Sequence, residues 1–163
     1  MAAKSDISIT KEALAEIYAH AAREYPRECC GIVFGPRAST DANRVLVCKN
    51  IQDELHVEDP QMFQRDAHTA FNFEAGDLLK LNKSLRGDEP ARIIYHSHPD
   101  SGHTREDGAY FSATDQAVAV MDGEPSYPVE YLVVDVRPNG AHHAAQFAWD
   151  PEQKQYLEVR RYA

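Results

Sequence analysis

The chain has 163 residues, 43% of them apolar and 26% charged, with 17 Lys and Arg against 26 Asp and Glu for a formal net charge of −9. That length suits one domain, 1–163, with its own core, and the balance of residues excludes a disordered or fibrous chain. The negative charge sets aside nucleic acid and anionic membrane surfaces as principal partners.

Thr10 is placed to cap a helix running to about Glu24, because Leu14, Ile17 and Ala21 recur at helical intervals and Pro26 follows. Cys29 to Gly35 is an apolar run closed by Gly35-Pro36, which predicts a buried strand, and Val45 to Cys48 a second. The three cysteines, Cys29, Cys30 and Cys48, include an adjacent pair and no CxxC spacing. They therefore read as small buried residues in a reducing compartment, not as a disulfide framework or a four-thiolate metal site. Asn50 to Thr69, rich in acids, is expected to be mostly loop. Phe71 and Phe73 alternate with polar neighbours like a short strand, and Leu78, Leu81 and Leu85 mark a helix over 74–85, stopped at Gly87.

Ala91 to Tyr95 predicts a strand that delivers His96-Ser97-His98-Pro99, followed by a polar loop through Gly108. Ser112 opens a helix to about Met121; Val129 to Val136 and His142 to Trp149 form a hairpin turned at Asn139-Gly140, and Tyr156 to Arg160 adds a last strand. Strands interspersed with three helices predict an α/β domain with a central mixed β-sheet flanked by helices. The longest apolar stretches fall far short of the roughly 20 residues of a bilayer span, and the first six residues carry no secretory apolar region. The expected location is cytoplasmic, away from membranes.

Residues i and i+2 of a strand share a face, so His96 and His98 can reach one metal ion. HxH alone is weak, since paired histidines more often belong to a surface or a core. A catalytic zinc wants a third protein ligand and an open position, and Asp115, one turn into the next helix, can supply the third. Ser112-Ala113-Thr114-Asp115 is also a capping box, and a carboxylate on a metal is not expected to cap well at the same time.

Taken together, Glu28 ahead of the Gly31–Gly35 strand, His96-Ser97-His98-Pro99 at a strand end and Ser112-x-x-Asp115 opening a helix resemble the JAMM (MPN-plus) zinc metallopeptidases. The resemblance spans about 10–136, with further strands over 141–160. It implies the family's cytidine-deaminase-like fold, Zn2+ on His96, His98 and Asp115, Glu28 as general acid/base and Ser112 at the oxyanion. The substrate it implies is a peptide or isopeptide bond following the C-terminal Gly-Gly of a ubiquitin-like protein, most simply a small sulfur carrier for so short a chain. A non-catalytic MPN scaffold is the rival; a nucleobase deaminase lacks its P-C-x-x-C here. Sixteen residues separate His98 from Asp115, more than the family's spacing, so a segment such as His103 to Gly108 reads as an insertion whose removal leaves metal binding intact. His103 within it reads as a solvated histidine before a fourth ligand.

Overall fold

In the computed structural model, which describes residues 3–99 and 107–163 apart from the His142 side chain, the first helix forms where its spacing predicts. Helix α1 (Lys11–Glu24) is capped by the Thr10 hydroxyl, which accepts from Ala13 N at 3.3 Å. It buries Ala13, Ile17, His20 and Ala21 against the sheet.

The remaining elements are β1 (Ser8–Ile9), β2 (Cys30–Phe34), β3 (Asp41–Ala42), β4 (Arg44–Cys48), α2 (Gln52–Glu58), α3 (Ala75–Ser84), β5 (Ala91–Pro99), α4 (Ala113–Ala119), β6 (Val120–Met121), β7 (Glu124–Pro125), β8 (Glu130–Arg137), β9 (Gly140–Asp150) and β10 (Gln155–Tyr162). Six strands form the main sheet in the order β10-β9-β8-β5-β2-β4. β5 and β8 run parallel, and the other neighbours are antiparallel. This is the mixed α/β architecture expected from the sequence.

The central strands are buried on both faces, as expected where helices cover a sheet. One core gathers Ile17, Ala21, Val33, Ile93, Tyr95, Leu132 and Val134 beneath α1. The other gathers Ile32, Leu81, Ile94, Tyr131, Val133, Ala119 and Tyr156 on the opposite face, where α3 and α4 lie. Alternation along β5 assigns Ile93 and Tyr95 to the first face and Ile94 to the second, so His96 and His98 share the second face.

Several expectations need correction. Residues 52–58 form α2 inside the stretch read as loop; only Gln52 of that helix is buried, so no apolar stripe announced it. Phe71 and Phe73 lie outside any strand, and pack on each other edge to face at 5.7 Å. α4 ends at Ala119, because Val120–Met121 pairs with Glu124–Pro125 instead of continuing the helix. The β8–β9 hairpin turns at 138–139, one residue early, and Gly140 opens β9 at φ 119°. The cysteines are free and buried, as read.

Candidate metal centre

β5 carries the two histidines to the end of the sheet, and α4 brings Asp115 against them. His96 Nε2 lies 3.2 Å from His98 Nε2 and 3.2 Å from Asp115 Oδ1, and His98 Nε2 lies 3.4 Å from Asp115 Oδ2. The sheet and helix thus unite the three residues that the sequence separates by up to nineteen positions.

Two imidazoles and a carboxylate crowded at one point form a group that can hold a metal ion. The geometry fits zinc: bonds of about 2.0–2.1 Å in a tetrahedron set ligand atoms roughly 3.3 Å apart. The His98 ring is correctly prepared. Its Nδ1 lies 2.9 Å from the Gly108 carbonyl, which only accepts, so Nδ1 carries the proton and Nε2 keeps its lone pair. His96 is held by packing instead, with its ring stacked on Phe71 at 4.7 Å and its buried Nδ1 without a partner among the described residues. Tyr110 packs on the His98 ring at 4.9 Å.

Asp115 caps the helix while it faces the histidines, two roles that the sequence reading held to be only partly compatible. Its backbone N–H donates to Ser112 Oγ at 3.0 Å while its own Oδ2 accepts from Ser112 N at 3.0 Å, a complete capping box. The carboxylate can do both because its two oxygens offer several lone pairs, and the cap fixes the rotamer that faces the histidines. Burial raises the Asp115 carboxyl's pKa, but the facing His96 and His98 outweigh it and hold the group well below the ordinary range.

Glu28 enters the same end of the sheet. Just beyond it, Cys29 N donates to Ser97 Oγ at 2.8 Å and Ser97 N donates to Cys29 O at 3.2 Å, which zips the start of β2 to β5 between the two histidines. Glu28 N donates to Ala67 O at 2.7 Å, and Asn50 Nδ2 donates to Glu28 O at 2.9 Å. Glu28 is 6% exposed. Burial, then the nearby Asp115 charge, push its carboxyl well above the usual range, with Arg65 pulling the other way. Glu28, His96, His98, Ser112 and Asp115 all line one cleft of about 550 Å³, together with Arg65.

Residues 100–106, and with them His103, lie outside the described residues. The last two residues of the supposed insertion need correction: Gly108 touches His98, and Asp107 is tied into the surrounding structure, so 107–108 belong to the scaffold of the site. Sequence reading also missed Phe71, Tyr110 and Arg65 as cleft residues. An exposed arginine and isolated aromatics carry no periodic signal, and only the folded loops bring them to the histidines.

Comparison with known proteins points the same way. A sequence profile of the Prok-JAB family, prokaryotic homologs of the JAB domain, matches residues 10–150. Curated relatives from Mycobacterium tuberculosis and Mycobacterium bovis, both named CysO-cysteine peptidase, are 28% identical over 130 residues, which covers 79% of this chain and 73% of theirs. Two solution structures share the fold at 22% identity and 94% coverage of this chain. A protein of Desulfitobacterium hafniense has a TM-score of 0.61 over 90% of its own length, and one of Salinibacter ruber 0.58 over 89%.

Proposed function

The chain belongs to the prokaryotic JAB-domain family, and from that premise we propose that it is a zinc peptidase. Its substrate is a ubiquitin-like sulfur-carrier protein, cleaved after the carrier's C-terminal Gly-Gly. The observation that carries this reading is the convergence of His96 Nε2, His98 Nε2 and the Asp115 carboxylate at 3.2–3.4 Å in a cleft that also holds buried Glu28.

His96, His98 and Asp115 would hold the zinc, which would supply Lewis-acid activation of the scissile carbonyl and of the attacking water. Glu28 takes the proton of the attacking water and returns it to the leaving amine; burial suits it to that exchange by raising its proton affinity. Ser112 Oγ spends its acceptor side on Asp115 N and keeps its O–H to donate to the developing oxyanion. The aromatic rings of Phe71 and Tyr110 flank the histidines, and a tail of two glycines, free of side chains, passes between such walls.

The relatives' name, CysO-cysteine peptidase, supports an amino acid as the group released. Arg65 lines the cleft near Glu28, and its guanidinium has no ion pair among the described residues. It is the cation there that can take the carboxylate of a one-residue leaving group.

Zinc analysis and cleavage of carrier–Gly-Gly–amino acid fusions test the proposal. Near one zinc per chain is expected, lost in His96→Ala and Asp115→Ala. Glu28→Gln keeps zinc and loses about 10²–10⁴-fold in kcat, and Arg65→Ala raises KM about tenfold for amino acid leaving groups. A chain that takes up no zinc after reconstitution and cleaves no fusion is instead a docking scaffold.

A further inference from the structure

Beside the metal centre lies a second cluster, Asp107, Asp135 and His143, whose ligand atoms all fall within 4.8 Å of one another. Two guanidinium groups argue against a second cation there. Arg137 grips Asp135 with Nε at 2.8 Å from Oδ1 and Nη2 at 3.1 Å from Oδ2, and Arg161 Nη1 sits 2.6 Å from Asp107 Oδ2. The two carboxylates are already matched by two fixed positive charges, and an ion would have to displace both.

The cluster's position suggests a different use. His98, Asp135 and His143 stand in one row, paired across β5–β8 and β8–β9. His143 Nε2 reaches out from that row to Asp107 Oδ1 at 2.8 Å, and the same oxygen accepts from Ala109 N at 2.9 Å. From β10, Arg161 holds Asp107 through Nη1 and the Ala109 carbonyl through Nη2 at 3.3 Å. One guanidinium therefore clamps the residues on either side of Gly108, whose carbonyl receives His98 Nδ1–H at 2.9 Å.

We propose that Asp107 and Arg161 are positioning residues for His98: they clasp the chain about Gly108 so that its carbonyl selects the Nδ1–H tautomer and leaves Nε2 to the metal. This rests on the metal reading above for its consequence, but the tautomer itself exists without metal. The hydrogen bonds that form the clasp also show in the Asp107 carboxyl. Burial raises its pKa, yet His143, Ala109 N–H and Arg161 together bring it down to about 2. The clasp joins the chain just after the segment that exceeds the family's spacing to β9 and β10, strands far from it in sequence.

The test reads His98 directly. In 15N NMR of metal-free protein at pH 8, the parent is expected to show the Nδ1–H form. Asp107→Ala shifts His98 towards a mixture of tautomers and weakens zinc about 10–100-fold in chelator competition. Asp107→Asn keeps an oxygen for Ala109 N–H but sets its NH2 opposite the Arg161 guanidinium, so it recovers only part of both. Ile17→Val, a core change on the far face, serves as the control that lowers stability without moving the His98 signals. An unchanged His98 spectrum in Asp107→Ala overturns the clasp, as does an Asp107→Asn equal to the parent, which would leave Arg161 without a part in it. If the parent shows the tautomer and its dependence on Asp107 but binds no zinc, the clasp stands and the metal reading falls.

Discussion

Ser112 and Asp115 show how much one short motif can carry. Read from the sequence, S-x-x-D was either a helix cap or part of a metal centre, and the structure leaves room for both, because the carboxylate caps through Oδ2 and faces His96 through Oδ1. Ser112→Ala removes the hydroxyl that accepts from Asp115 N but leaves the Ser112 N–H that Asp115 accepts. It should cost about 1 kcal/mol of stability in denaturant unfolding. Zinc content should stay unchanged while kcat falls at least about tenfold, if the hydroxyl serves the oxyanion. A kcat equal to the parent's would reduce Ser112 to a cap. At this scale the motif was readable because its residues are close in sequence and chemically distinctive. Arg65 and Gly108 were not, since a surface arginine and a loop glycine are common anywhere.

Among the elements, the contact between β2 and β5 aligns the site. Gly31 pairs with Tyr95 one step from the Cys30–His96 pair, and the Tyr95 ring lies over the glycine so closely that a Cβ there would meet it at 2.2–2.3 Å. The ring's hydroxyl in turn pairs with His20 Nδ1 of α1 at 2.7 Å. Gly31→Ala should therefore destabilise the fold by about 2–3 kcal/mol. Combining it with Tyr95→Leu should give markedly less than the sum of the two single changes in a double-mutant cycle. Additive losses would mean that the ring moves aside freely. Helix α1 and the strands of this sheet were legible because a period of 3.6 and short apolar runs closed by turn residues leave a record in the sequence. α2 left none, because its contacts with the loop are polar: Asp53 Oδ1 accepts from Ala67 N at 2.8 Å and Gln52 Nε2 donates to Arg65 O at 2.8 Å.

For the molecule as a whole, stability should depend on pH through His20. Burial, then the nearby Arg23, lower its pKa, against a smaller pull from Glu24. An unfolded chain takes up that proton as pH falls through about 6.5, while the folded protein resists until a lower pH. The His20 contribution is therefore full above that range and declines below it, while Glu28, whose raised pKa lets the folded protein take up a proton as pH falls, works against that decline. Urea unfolding from pH 7.5 to 5 should show the decline, and His20→Gln should flatten it; an equal slope in the variant would assign it to other groups. Among the described residues no helix is long and apolar enough to cross a membrane.

By itself the sequence determined the fold class and the order of most elements, because apolar patterning is a local property of a chain, and its resemblance to a known family singled out Glu28, His96, His98, Ser112 and Asp115 as candidates. Tertiary structure alone decided how those residues meet. It set the 3.2–3.4 Å convergence of three ligand atoms, the burial that raises the Glu28 pKa, the placing of Arg65 in the cleft and the clasp that joins Asp107 to Arg161. Distances between residues far apart along the chain are set by packing, and packing depends on every element at once.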